Sequence, residues 1–98
     1  MPQANLKTEN YGEATIVASS LDENGIDFIY SNLVETENRF GKAFVAVGTK
    51  DGEYIGIMFN SQKLATLFTK EHARLTGKKI NLSKRGEGVS TNFDVKFV

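Results

Sequence analysis

Residues 61–98 read SQKLATLFTKEHARLTGKKINLSKRGEGVSTNFDVKFV, and the change of period inside this stretch decides the fold class. Over Ser61–Thr76 the apolar side chains Leu64, Leu67, Phe68 and Leu75, with His72, fall on one face of a 3.6-residue helix. Lys63, Thr66, Lys70 and Arg74 take the rest of its circumference. Asn60 or Ser61 can cap the start by accepting a backbone N–H, and Gly77 can supply the left-handed residue after the end. Beyond Gly77 the period falls to two. Ile80 and Leu82 alternate with polar residues, as do Phe93, Val95 and Phe97, with Asp94 and Lys96 facing outward. The stretch predicts a helix followed by a hairpin.

Upstream of it the chain is cut by turn signals. Asn24-Gly25 and Asp51-Gly52 are hairpin dipeptides, because both positions tolerate the positive φ of a type I′ turn. The polar run Glu35–Arg39 and Gly41 mark another break, and Gly86 with Gly88 a fourth. Between these marks lie short runs of strand length: Ala14–Ser19, Ile26–Val34, Lys42–Gly48, Tyr54–Asn60, Lys79–Ser83 and Asn92–Val98. Ala43, Val45 and Val47 share one face, as do Ile55, Ile57 and Phe59. An antiparallel sheet with one wet face is expected to alternate in this way.

From Ile26 the order is three strands, a helix and two strands. That order matches the OB-fold, a five-stranded partly open barrel. The expected class is therefore mainly β with one α-helix, an OB-fold-like small barrel with Ala14–Ser19 as an extra N-terminal strand. Its ligand-side loops would be Glu35–Gly41 and Ser83–Ser90. The alternative is four antiparallel strands over 14–60 followed by a helix, an arrangement similar to the Whirly and coactivator class of single-stranded DNA-binding proteins.

Composition narrows the functional classes. The 98 residues fit one domain, with residues 1–10 expected as a frayed tail. A core this thin makes an oligomer, most simply a homo-oligomer, unsurprising. There is no cysteine, hence no disulfide or thiolate metal site, and an intracellular location is the simplest expectation. No apolar run reaches the ~18 residues of a membrane span, and MPQANLKTEN lacks the order of a signal peptide. One histidine, His72, cannot assemble a catalytic triad or a metal site alone, and it reads as a packing or boundary residue. No phosphate-binding Gly-Lys-Ser/Thr follows the glycines near Asp51. Neither an enzyme nor a small-molecule cofactor is expected.

Net charge is zero, but its distribution is not. Residues 1–41 hold seven acids and two bases, a balance of −5, and residues 42–98 hold five acids and ten bases, or +5. Such asymmetry hints at a polyanionic partner, although a solvated basic face is the ordinary alternative. Single-strand binders pair a cationic groove with aromatic faces on which bases stack. If Ile29, Leu33, Ala43, Val45, Val47, Ile55, Ile57 and Phe59 face the core, alternation turns Phe28, Tyr30, Phe44 and Tyr54 outward as one aromatic patch. Phe40, Arg39 and Lys42 adjoin it from the neighbouring loop. Any of these rings can equally be core or interface.

The stretch GKKINLSKRGEGVSTNFDVKFV resembles the terminal hairpin of small phage-type and archaeal-type OB-fold single-stranded DNA-binding proteins. There a GKK-apolar-x-apolar strand leads through a K-x-GEG turn into a Thr-x-aromatic strand. The resemblance implies phosphate contacts for Lys79, Lys84 and Arg85. Phe93 departs from the tyrosine expected there, and the acidic C-terminal tail that recruits replication partners is absent. The expected function is sequence-tolerant binding of single-stranded DNA or RNA, DNA favoured. The alternative is a small protein-interaction or inhibitory module, such as a viral accessory protein, docking through the aromatic patch and the acids Glu9, Glu13, Asp22 and Glu23.

Overall fold

The computed structural model describes residues 15–39, 41–86 and 91–98. The expected tail 1–10, Ala14, Phe40 and most of the turn after Gly86 lie outside the described residues. Six strands form one curled sheet: β1 Thr15–Val17, β2 Ile26–Asn38, β3 Gly41–Lys50, β4 Glu53–Phe59, β5 Lys79–Arg85 and β6 Asn92–Phe97. One helix, α1 Gln62–Leu75, follows β4, and a short 3-10 turn, Ala18–Ser20, follows β1. The order across the sheet is β1-β4-β3-β2-β5-β6. Among the described residues it is a half-barrel with a single helix and an extra N-terminal strand.

The first strand rules out the four-stranded alternative. β1 pairs in parallel with β4, Ile16 beside Ile57, and not with β2. Asn24-Gly25 is accordingly a turn but not a hairpin. Asp22 Oδ1 accepts the Asn24 and Gly25 amides at 2.9 and 3.1 Å, and the chain crosses from one side of the sheet to the other. Asp51-Gly52 does close a hairpin: φ is 54° and 84° at the two positions, the type I′ signature.

β2 organises the sheet. Its first residues pair with β5 (Phe28 with Ile80) and the remainder with β3, out to Asn38 beside Gly41. The expected loop Glu35–Gly41 is therefore mostly ladder, with only residues 39–40 between the strands. Glu35 and Lys42, which form an ion pair at 2.8 Å, help to hold this end together.

The register of β2 slips between Tyr30 and Asn32, where Ser31 is the extra residue of a bulge. Before it, even-numbered side chains face the helix; after it, odd-numbered ones do. Phe28 and Tyr30 thus share the helix-side core with Leu33, while Ile29 is exposed and Val34 is buried on the opposite face. Gly48 sits opposite the bulge, and a Cβ there would lie 1.9 Å from the Ile29 carbonyl oxygen.

α1 begins where the sequence sets it. Ser61 Oγ accepts the Leu64 amide at 3.1 Å, and Gly77, with φ 81°, takes the chain out of the helix. Its buried residues Leu64, Ala65, Phe68 and Leu75 fill the curl of the sheet against Phe44, Ile57, Ile80 and Leu82. His72 Nδ1 meets the Tyr30 hydroxyl at 2.9 Å, and the two rings stand edge to face. Val34, Val45 and Val47, with Met58, make a second cluster on the other face.

Candidate nucleic-acid interface

The expected aromatic patch does not form. Phe28, Tyr30 and Phe44 are 1, 0 and 7% exposed, inside the core beneath α1. Drawing one large apolar ring out of such a site costs ~1.5–3 kcal/mol. Stacking on a base returns only ~1–3 kcal/mol. The three rings hold the fold and offer no face to a ligand. Two physical causes inverted the alternation: the bulge at Ser31, and the burial of β3 on both faces. Ala43 to Gly48 are all buried, so Phe44 and Val45 point to different interiors.

Tyr54 is outward, 68% exposed. It begins a cross-strand row of Tyr54, Thr49, Ile29 and Lys79 on the face away from α1. Three interstrand spacings of ~4.8 Å make this row ~14 Å long. Along β4, Tyr54, Gly56 and Met58 share that same face, and Met58 leads into the open seam of the half-barrel.

The seam holds a cleft of about 570 Å3, walled by Val17, Met58, Phe59, Asn60 and Phe93, with Arg39 among its lining residues. A second cleft, of about 330 Å3, lies between the start of α1 and β6. Lys63, Leu67, Arg85, Asp94 and again Phe93 line it. The partly buried Phe93 is the wall common to both. One ring therefore stands between cleft walls that carry Arg39 on one side and Lys63 and Arg85 on the other.

The remaining cations are spoken for in differing degrees. Lys42 donates to Glu35; that hydrogen bond, and then the carboxylate's charge, raise the ammonium above the usual lysine range. Arg85 Nε lies 2.7 Å from Asp94 Oδ2 on β6. Lys84 Nζ donates to the Ser19 carbonyl at 2.7 Å, tying β5 to the 3-10 turn beside the seam cleft. Lys79 makes no ion pair among the described residues and ends the outer row.

The structure therefore places Arg39 and Arg85 in the linings of two clefts that share one ring, sets Lys84 next to the same seam, and puts Tyr54 and Lys79 on the outer face. Phe40 lies outside the described residues. Sequence reasoning missed Phe93 and Lys63 as site residues. A helix ending β4 and a hairpin ending the chain must meet at the barrel seam, and that meeting was the available signal. Among the described residues no cluster of three His, Cys, Asp or Glu side chains is arranged to hold a metal ion, and no helix is long and apolar enough to cross a membrane. No family model, curated protein or solved structure matches the chain.

Proposed function

We propose that the chain binds single-stranded nucleic acid, DNA in preference to RNA, without reading its sequence. The strand lies along the outer face of β4 from Tyr54 to Met58 and enters the seam at Phe93. The observation that supports this most directly is the pair of clefts sharing the Phe93 ring, with Arg39 lining one and Lys63 and Arg85 lining the other. A partly buried ring between cations meets both needs of a sequence-tolerant site, since every base has a π-face and every nucleotide a phosphate. Tyr54 supplies an exposed second ring. No reaction belongs to this reading.

Fluorescence anisotropy with a labelled oligo-dT tests it. Binding is expected to weaken steeply with salt, and Arg39→Ala or Lys63→Ala to flatten the log–log salt slope by about 0.7 each, one phosphate contact. Tyr54→Ala is expected to weaken binding about tenfold with an unchanged slope, the mark of lost stacking. Absence of binding to both DNA and RNA at low salt overturns the reading. A stoichiometric protein recovered by pull-down after nuclease treatment would replace it with the protein-interaction alternative.

A further inference from the structure

β6 is the last strand of the sheet, and among the described residues it has a pairing neighbour on one side only. The ladder shows which of its groups face the open side. Val98 N–H donates to the Lys79 carbonyl, so the even-numbered residues of β6 exchange backbone hydrogen bonds with β5. Phe93, Val95 and Phe97 consequently direct their N–H and C=O groups outward in the plane of the sheet. An edge of this kind is a template for another strand unless something blocks it. β6 contains no proline or glycine, and its end is apolar, with Phe97 51% and Val98 65% exposed.

We propose that β6 pairs antiparallel with β6 of a second copy of this chain, about a twofold axis through Val95. The charges select both the partner and the register. With the axis normal to the sheet, opposed residues must share a face, so β6 can shift against itself only in steps that keep the alternation. Centred on Asp94, the pairing sets two aspartates against each other; centred on Lys96, two lysines. Centred on Val95, it sets Asp94 opposite Lys96 of the second copy, twice. Those are non-hydrogen-bonded pairs, where side chains stand closest and opposite charge counts most.

The same register places Phe93 opposite Phe97 of the second copy, again twice, covering the exposed ring. Phe93, Val95 and Phe97 then exchange six backbone hydrogen bonds across the axis, and two six-stranded sheets become one of twelve. The contact is isologous and closes on itself, giving a dimer and not a fibre. An unrelated edge strand would meet Lys96 with no assured counter-charge.

This pairing does not rest on the nucleic-acid reading: it is carried by the open backbone groups of β6 and the Asp94–Lys96 pairs, and its test is made without an oligonucleotide. Sedimentation of the full chain is expected to show a concentration-dependent dimer of the 10.8 kDa chain. Lys96→Glu converts both cross-strand pairs to like charge and is expected to raise the dimer Kd about tenfold or more, while Lys96→Arg preserves it. Val95→Pro removes an edge-facing N–H without breaking a bond to β5 and is expected to give a monomer that keeps the wild-type circular dichroism spectrum. A wild-type chain that stays monomeric up to about 1 mM overturns the proposal. So does a dimer whose Kd is unchanged by Lys96→Glu, a variant that removes no side-chain hydrogen bond or ion pair found among the described residues.

Discussion

Tyr30 shows how far a residue's environment can depart from what its type suggests. A tyrosine on an alternating strand is a natural candidate for a surface ring, since its hydroxyl prefers water. Here the ring is stacked on Phe68 at 5.1 Å between centroids, and the hydroxyl finds His72 instead of solvent. Burial pushes the phenol up to about 12. Folding therefore holds a proton that the unfolded chain releases near 10. The stability that goes with it is complete below pH 10 and lost as pH rises through 12. Chemical denaturation across that window should show wild type losing stability that Tyr30→Phe retains, the variant itself costing ~0.5–1.5 kcal/mol near neutrality through its lost hydrogen bond.

Among the elements, α1 was fully legible and β2 only in part. The helix has its cap, its apolar face and its terminating glycine written within the seventeen residues from Ser61 to Gly77, and all three act locally. The β2 bulge has no such signature: Ser31 is an ordinary residue, and its effect depends on Gly48 of the neighbouring strand. That dependence can be measured. Gly48→Ala would drive a methyl group into the Ile29 carbonyl, which is backbone and cannot rotate away. The expected loss is about 2–4 kcal/mol, read as a lower urea midpoint with an unchanged slope. The run AFVAVG did carry one available warning. Apolar residues at consecutive positions indicate a strand buried on both faces, where alternation cannot tell which side holds the ligand.

At the scale of the molecule, the class of fold was readable because it rests on element order, which turn residues mark. The candidate interface was less so because it forms where β4, α1 and β6 meet around the seam, and such a meeting depends on how the sheet curls. Tyr54 follows from strand alternation, Arg39 from its place in the loop beside that strand, and Arg85 from the basic hairpin and its resemblance; Phe93 and Lys63 needed the curl. The curl also grades stability. β3 lies between two paired neighbours and two apolar clusters, whereas β1 is three residues long and β6 has one neighbour among the described residues. Amide hydrogen exchange is accordingly expected to be slowest at Ala46 and its neighbours and fastest at the paired amides of β1, by at least a hundredfold.

The parallel contact between β1 and β4 has a consequence for the order of assembly during synthesis. Thr15 leaves the ribosome long before Gly56, the residue beside which it rests, so β1 emerges with its partner β4 still to be made. The β2–β3 and β3–β4 ladders, joined by short turns, close through nearby contacts and can form while β1 waits. Nascent chains halted before β4 emerges should therefore carry β1 unattached, and the sheet grows from its middle outward, with β1 among the last strands to dock.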